Sequence, residues 1–277
     1  FTEGALTEPR LSHPEGVAVD ADGFVWCGGE LGQIYRVAPD GSSRELVATT
    51  GGFSLGMAFD ARGDLYVCDQ KFAAVFRLRR GSREPELFSD GTPGHRFRIP
   101  NFPAFGPDGA LYVSDSWDMA GTGPGIVRIT PDGRGSLWHP GPFTFANGLA
   151  FNKAGDRLYV VETFRHVVSA VTVEADGSAG EVRDVLSLPD LYPDGLAVAE
   201  DGSIFVGCYE PSVVIRGSDN GDWSVFASDR SAHLLAHPTN LAFLGEDLIS
   251  ANLGRWHLTR IHAGVRGLPL PPAATGR

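Results

Sequence analysis

The sequence contains six copies of one short pattern, and this repeat constrains the fold more than any other feature. Each copy places one residue, polar in five of the six copies, just before an apolar segment, as in Asn147-Gly148-Leu149-Ala150-Phe151. Equivalent positions are separated by 40, 46, 46, 47 and 46 residues, and the copies fill almost all of the 277 residues. Repeats of this length that are made of short strands are typical of β-propellers.

Each copy contains three or four strand-like segments separated by turns. A turn such as residues 20–23 joins the first segment to the second, and its Asp and Gly residues suit the positive φ angles of hairpins. Segments such as Leu111-Tyr112-Val113 and Ile126-Val127-Arg128-Ile129 follow. We therefore predict an all-β protein, a six-bladed β-propeller of four-stranded antiparallel blades that forms one domain over residues 1–277. A two-sheet β-sandwich is the alternative, but it does not explain six nearly equal copies.

A closed ring needs a contact that ties the last blade to the first. Two segments outside the regular repeat could supply it by adding an outer strand to the last blade. One is Thr2–Leu6, which precedes the first copy, and the other is Val265–Leu270, which follows the last.

Composition excludes several classes of protein. The hydrophobic fraction of 42% argues against disorder, and 36 Gly with 19 Pro argue against a helical protein. No apolar run is long enough to span a bilayer, and a net charge of −11 argues against a nucleic-acid partner. Three widely spaced cysteines and no visible targeting segment favour a cytoplasmic protein with reduced thiols. We expect a monomer or weak homo-oligomer with a small-molecule substrate and no membrane partner.

The residues that precede the first strand of each copy form the first candidate site. The first strand of a propeller blade lies beside the central channel, so these residues should surround one mouth of it. They are Glu15, Leu55, Asn101, Asn147, Asp194 and Asn240. Two facing carboxylates are costly without a cation, and mixed carboxylate and amide oxygens suit Ca²⁺, Mg²⁺ or Mn²⁺ better than zinc. Each residue taken alone is equally consistent with a turn that caps its own backbone.

The loops after the second strands form the second candidate set. They contain Asp115 and Glu162, which would line or rim the same mouth of the channel. The longest of these loops, residues 117–125, is rich in glycine and suits a mobile rim. Acidic residues here could equally pair with arginines between blades.

The motifs that surround the first set resemble the senescence marker protein, gluconolactonase and luciferin-regenerating enzyme family of six-bladed propellers. The resemblance covers essentially the whole chain and rests on Pro14-Glu15-Gly16, Pro100-Asn101, residues 146–151 and residues 193–198. It implies one divalent cation held by Glu15, Asn101, Asn147 and Asp194. Ca²⁺ is the expected ion, with Mg²⁺, Mn²⁺ or Zn²⁺ as alternatives.

The same resemblance implies a metal-dependent hydrolase that opens a lactone or a related ester. The cation would polarise the carbonyl group while a carboxylate activates water. Asp194 would be both a ligand and the general base. Because a metal-bound aspartate is a weak base, Asp115 and Glu162 are rival candidates for this role.

The third copy departs from the family pattern. Sugar-lactone members of the family often carry Arg-x-Asn-Asp where this chain has Ile99-Pro100-Asn101-Phe102. Two polar substrate contacts are thus apolar here, which favours a less hydroxylated or more aromatic substrate. The predicted substrate-binding residues are Phe102, Trp117, Phe164, Tyr209, Asn240 and Trp256.

Two other functions remain open on the sequence alone. An isomerase, cyclase or condensing enzyme could use the same metal and scaffold, as the distantly similar strictosidine synthases suggest. Residues 14–23 are also similar to an NHL repeat, and propellers built from such repeats often bind proteins or RNA without catalysis.

Overall fold

The computed structural model describes residues 8–270, and these residues form a six-bladed β-propeller. The first blade consists of β1 (Val17–Val19), β2 (Val25–Gly28), β3 (Gln33–Val37) and β4 (Arg44–Thr49). The second consists of β5 (Ser54–Phe59), β6 (Leu65–Asp69), β7 (Ala74–Leu78) and β8 (Glu86–Ser89). A two-stranded ribbon follows, made of β9 (Gly91–Thr92) and β10 (His95–Arg96).

The third blade contains a second small ribbon within its connections. Its strands in chain order are β11 (Pro100–Phe105), β12 (Leu111–Asp115), β13 (Thr122–Gly123), β14 (Ile126–Ile129), β15 (Gly135–His139) and β16 (Phe143–Thr144). Strands β13 and β16 pair with each other, and the other four form the blade.

The last three blades complete the ring. The fourth consists of β17 (Ala146–Phe151), β18 (Arg157–Glu162), β19 (Val167–Val173) and β20 (Ala179–Ser187), with a 3₁₀ turn at Thr163–Arg165. The fifth consists of β21 (Tyr192–Val198), β22 (Ile204–Glu210), β23 (Val213–Gly217) and β24 (Trp223–Ser228). The sixth consists of β25 (Pro238–Leu244), β26 (Asp247–Asn252) and β27 (Leu258–His262).

Every blade is antiparallel, and its first strand is the innermost. The six first strands, β1, β5, β11, β17, β21 and β25, contact one another in cyclic order, so the ring is closed by β25 against β1. At this junction the Oγ1 of Thr239 and the Nδ2 of Asn240 both donate to the backbone oxygen of Glu15, at 2.8 and 2.9 Å. Val25, Ile249 and Leu258 are buried together between the two blades and add apolar burial to the closure.

The structure describes only one of the two segments that were predicted to add an outer strand to the last blade. Thr2–Leu6 lies outside the described residues. Val265–Leu270 does not extend the last blade, so that half of the prediction is wrong. Its backbone bonds instead to the fifth blade, where Glu200 N donates to Arg266 O at 2.8 Å and Leu268 N donates to Val198 O at 3.0 Å. Within residues 8–270 the sixth blade has three strands.

Glycines allow the inner strands to pack closely around the channel. A Cβ atom at Gly148 would lie 2.8 Å from the backbone oxygen of Asp194, and one at Gly195 would lie 2.7 Å from the Cα of Asn240. Each of these glycines therefore contacts the ring residue of the following blade. Side chains at these positions would push adjacent blades apart, which explains the repeated polar–Gly–apolar pattern.

Two further features concern the cysteines and possible membrane-spanning helices. The three cysteines are buried and carry free thiols. No helix within the described range is long and apolar enough to cross a bilayer.

Candidate active site

Irregularities in the inner strands place the ring residues at the channel. In five blades the pairing of the first strand with the second shifts register across two residues, for example between Pro100 and Pro103 and between Ala146 and Leu149. Asn101 and Asn147 lie inside these shifts, and so does Asp194, between Pro193 and Leu196. A bulge releases a residue from the regular ladder and re-aims its side chain. The same local feature thus recurs at each candidate ligand on β11, β17 and β21.

These residues form part of a pocket of about 450 Å³ at the mouth of the channel. Glu15, Asn101, Asn147 and Asp194 all line it, and each is at least nine-tenths buried. Leu55, the apolar member of the ring, lines it as well. The structure therefore brings together the four side chains that were predicted to hold a cation.

Four ring oxygens are buried without a hydrogen-bond partner. They belong to the side chains of Asn101, Asn147, Asp194 and Asn240, and each is the Oδ1 atom. In two of the three asparagines a hydroxyl group fixes the amide nitrogen. Asn101 Nδ2 donates to Ser116 Oγ at 2.9 Å, and Asn147 Nδ2 donates to Thr163 Oγ1 at 3.2 Å. With the nitrogen occupied, the oxygen is the atom left free for a ligand.

The two carboxylates of the ring disfavour each other's charge. Burial, and then the negative charge of Asp194, raise the pKa of Glu15 well above its ordinary value. Burial raises the pKa of Asp194 also, and the neighbouring Asn147 amide opposes this rise. Holding both groups ionised in this pocket is costly unless a positive charge lies between them.

A hard divalent cation fits this set of donors. Within residues 8–270, no three His, Cys, Asp or Glu side chains lie together as a metal site. A cation at the pocket floor would thus need the amide oxygens of Asn101 and Asn147 as well as Glu15 and Asp194. Unpartnered buried oxygens of carboxylate and amide type are the ligands that Ca²⁺ and Mg²⁺ prefer.

Asp115 and Glu162, the rival bases, lie elsewhere and are occupied. The Asp115 carboxylate accepts from the backbone N–H groups of Arg98, Ile99 and Trp117 at 2.9 to 3.1 Å, and His95 Nε2 lies 3.1 Å away. The Glu162 carboxylate accepts from Thr144 N at 2.9 Å, from Ser169 Oγ and from Arg165. Neither side chain lines the pocket.

These acids take part in a contact that recurs from blade to blade, called here the backbone staple, in which a side chain at the end of the second strand accepts a backbone N–H. Asp69, Asp115 and Glu162 each end the second strand of their blade, and each accepts a backbone N–H from the segment that leads into the first strand. Asn252 does the same for Ala236 N at 2.9 Å in the sixth blade. The acids therefore fix the loops that carry the ring, and charge-assisted bonds of this kind are strong.

The predicted substrate-binding residues divide into two groups. Phe164 and Tyr209 line the pocket. Phe102 lies at the other mouth of the channel, and Asn240 is fully buried against Glu15 and Gly195.

The two predicted tryptophans lie outside the pocket and pack against histidines. Trp117 has a positive φ of 64° and is stacked on His95, with ring centroids 5.6 Å apart. Trp256 packs edge-on against His13. Neither ring lines the pocket.

The pocket also contains residues that are not among the predicted ligands, bases and substrate-binding residues. They are Phe53, Gln70, Ile99, Met119, Phe145, Thr163, Tyr192, Glu210 and Leu253. Gln70, Thr163 and Leu253 each follow directly the residue that acts as a staple, so the register of the repeat could have found them. Glu210 ends β22 but has no staple bond, and its side chain is 57% exposed beside His237.

The fold and the pocket floor define a six-bladed propeller with a polar site at one channel mouth. The sequence model for the SMP-30/Gluconolactonase/LRE-like region matches residues 30–251. The chain therefore belongs to the SMP-30/gluconolactonase/LRE family. A shorter match, to the N-terminal region of strictosidine synthase-like proteins, covers residues 5–37.

Individual relatives are distant. The chain is 25% identical over 213 residues to Protein STRICTOSIDINE SYNTHASE-LIKE 6 of Arabidopsis thaliana, a match that covers 71% of this chain and 56% of that protein. It is 30% identical over 122 residues to a gluconolactonase of Zymomonas mobilis, with 40% and 34% covered. The chain thus spans little more than half of the plant relative.

A solved structure supports the fold over the whole length. The calcium-binding protein regucalcin from Agrobacterium tumefaciens superposes with a TM-score of 0.77 at 17% identity, covering 99% of this chain and 97% of that one.

Proposed function

We propose that the protein is a divalent-metal-dependent lactonase that works in the pocket at the channel mouth. The observation that carries the proposal is the set of buried, unpartnered oxygens on Asn101, Asn147 and Asp194 beside the Glu15 carboxylate. The match to a gluconolactonase and the family membership support an enzyme of this class.

Glu15, Asn101, Asn147 and Asp194 would hold the cation, with Ca²⁺ as the preferred ion. When bound, the cation supplies a Lewis acid that polarises the lactone carbonyl. Ser116 and Thr163 keep the two asparagine amides oriented with oxygen toward the pocket. This preorganisation reduces the reorganisation needed when the substrate arrives.

Asp194 is the residue we assign to proton transfer. Its Oδ1 is buried at the pocket floor and has no donor in the protein, so it can accept a proton from water. Asp115 and Glu162 are less suitable, because backbone N–H groups already occupy their oxygens. In hydrolysis, the hydroxyl of the water adds to the carbonyl carbon, the ring C–O bond breaks, and the proton returns to the released alkoxide.

One experiment tests the metal and the reaction together. Purified protein is analysed for bound divalent ions, and lactone opening is followed with a pH indicator, because the carboxylic acid product releases a proton. We expect a chelator to abolish turnover and Ca²⁺ to restore it. Asp194→Asn should lower kcat at least about 100-fold, which is the range for loss of a general base. Unchanged turnover after metal removal would overturn the proposal.

The second candidate is a non-hydrolytic enzyme, and the match to a strictosidine synthase-like protein favours it. An isomerase, cyclase or condensing enzyme would convert its substrate without releasing an acid. Reaction in ¹⁸O-labelled water separates the two candidates, because only hydrolysis incorporates one labelled oxygen into the product carboxylate. A non-catalytic binding propeller would convert no substrate and would be insensitive to chelation.

A further inference from the structure

The walls of the pocket above the polar floor are apolar on two opposite sides. On one side Phe145, Phe164 and Tyr192 form an aromatic row, with ring centroids 4.9 Å apart for the first pair and 6.3 Å for the second. On the other side Leu55 and Ile99, with Phe53 and Met119, come from the second and third blades. Any substrate bound to the floor must lie between these two walls.

Few groups in these walls can bind a hydroxyl group. Apart from the floor and the tyrosines, the polar side chains are Gln70, Thr163 and Glu210. Gln70 and Glu210 are exposed to solvent, and Thr163 accepts from Asn147, which leaves it a single O–H donor. A hydroxyl that leaves water for an apolar wall loses its hydrogen bonds without replacement. A sugar lactone carries several such hydroxyls, so these walls select against it.

The charge of the pocket also discriminates between substrates. Among the described residues that line the pocket there is no Lys, Arg or His, while Glu15, Asp194 and Glu210 are acidic. The chain as a whole carries a formal charge of −11. An anionic substituent on the substrate would have no counter-charge on the protein side of the pocket.

We propose that the preferred substrate is an uncharged lactone that carries an alkyl or aryl group, and not a polyhydroxylated sugar lactone. The proposal rests on the proposed hydrolytic function and specifies its substrate class. The carbonyl lies at the polar floor, and the apolar substituent packs between Leu55 and the row of Phe145, Phe164 and Tyr192. A volume of about 450 Å³ is in the ordinary range for small-molecule sites.

The test compares six-membered lactones that differ in their substituents. Dihydrocoumarin and δ-decalactone provide an aryl and an alkyl group, and D-glucono-1,5-lactone provides hydroxyls on the same ring size. Each kcat/KM is divided by the hydroxide-catalysed rate constant of that lactone, which removes intrinsic reactivity. We expect the two apolar lactones to exceed the sugar lactone by at least about 100-fold.

Variants of the wall residues, with a matched control, test which side chains cause the preference for apolar lactones. Phe164→Ala should lower kcat/KM for dihydrocoumarin about 10-fold while the value for gluconolactone changes little. Phe72→Ala is the control, because Phe72 is an exposed phenylalanine that packs on Phe76 and does not line the pocket. Leu55→Asn should narrow the gap between the apolar and the sugar lactones by adding a polar partner to the wall.

A binding measurement separates this proposal from the proposed function. The lactam analogue of dihydrocoumarin cannot be hydrolysed in the assay, and its affinity is measured by calorimetry with Ca²⁺ present. Turnover with a preference for gluconolactone overturns the substrate class and leaves the lactonase function in place. Lactam binding that is lost in Phe164→Ala, without turnover of any lactone, overturns the function and supports the apolar site. Absence of both overturns both.

Discussion

Glu15 and Asp194 belong to the first and fifth blades, yet the charge of Asp194 helps to raise the pKa of Glu15. The two residues are 179 positions apart in the sequence, and the sixth blade lies between their blades. Both carboxylates nevertheless line the same pocket floor. Their repulsion is the physical basis for the first two predictions.

A divalent cation should stabilise the folded protein. In thermal unfolding, we expect a higher Tm with millimolar Ca²⁺ than with a chelator, because a ligand that binds only the folded state adds about 4 kcal/mol at 1,000 times its Kd. Asp194→Asn should remove most of the difference. Asp201→Asn is the control, since Asp201 is bound to Arg216 in an exposed turn and should leave the calcium effect intact. Equal Tm values in the wild type would contradict a cation site.

The chelated protein should lose stability as the pH rises. The folded pKa values of Glu15 and Asp194 are raised, so the folded state keeps protons that the unfolded state releases above about pH 4. The free energy of unfolding in urea should therefore be lower at pH 8 than at pH 5, by about 1.4 kcal/mol for each unit by which a folded pKa lies above the lower of these two pH values. Glu15→Gln should reduce this slope, and Ca²⁺ should suppress it. A slope of the opposite sign, or one that Glu15→Gln leaves unchanged, would be inconsistent with the buried pair.

Asp115 should act on stability and not on chemistry. Asp115→Asn weakens bonds to three backbone N–H groups, and hydrogen bonds to charged groups contribute about 1.5 to 3 kcal/mol each. We expect a loss of about 2 to 4 kcal/mol in the free energy of unfolding, with the pH profile of kcat unchanged. Asp118→Asn in the same loop, where the partner Arg98 is 3.8 Å away, is the control and should cost little. A shifted pH profile in Asp115→Asn would restore Asp115 as a candidate base.

Gly148 should tolerate no side chain. In Gly148→Ala the new Cβ would lie 2.8 Å from backbone atoms of the fifth blade, so either the blades separate or the strand shifts. Overpacking of this kind typically costs about 1 to 3 kcal/mol. Gly94→Ala has no atom within 4 Å of its new Cβ and serves as the control. Unfolding in urea compares the two, and equal losses would argue against close packing at Gly148.

The architecture and the floor of the site could be predicted from the sequence because both depend on the period of the repeat. Six copies at nearly constant spacing fix which residue lies at the start of each inner strand. In five blades this residue lies within the strand, where the sequence predicted a position just before it, yet it still reaches the channel. This position identifies Glu15, Asn101, Asn147 and Asp194, the proposed cation ligands, which all line the pocket. Neither the bulges nor the hydroxyl partners Ser116 and Thr163 were needed to find them.

The pocket walls could not be predicted because they depend on backbone detail. Asp115 ends the second strand of its blade as Glu210 does, yet one carboxylate turns back to three backbone N–H groups and the other stays at the rim. Spacing alone does not distinguish these outcomes. Trp117 has a positive φ and stacks on His95, and Phe102 occupies the place that glycine takes in four of the other five blades. Neither aromatic ring lines the pocket.

The contact between each ring glycine and the next blade has a consequence for evolution. Close main-chain packing against Gly148 and Gly195 sets the backbone at Asp194 and Asn240, so the backbone position there depends on the neighbouring blade as well as on the side chain. Leu55 occupies a ring position with no polar group at all. Side chains at the channel mouth can thus be exchanged one at a time, and new substrates or reactions can arise in this ring without a redesign of the scaffold.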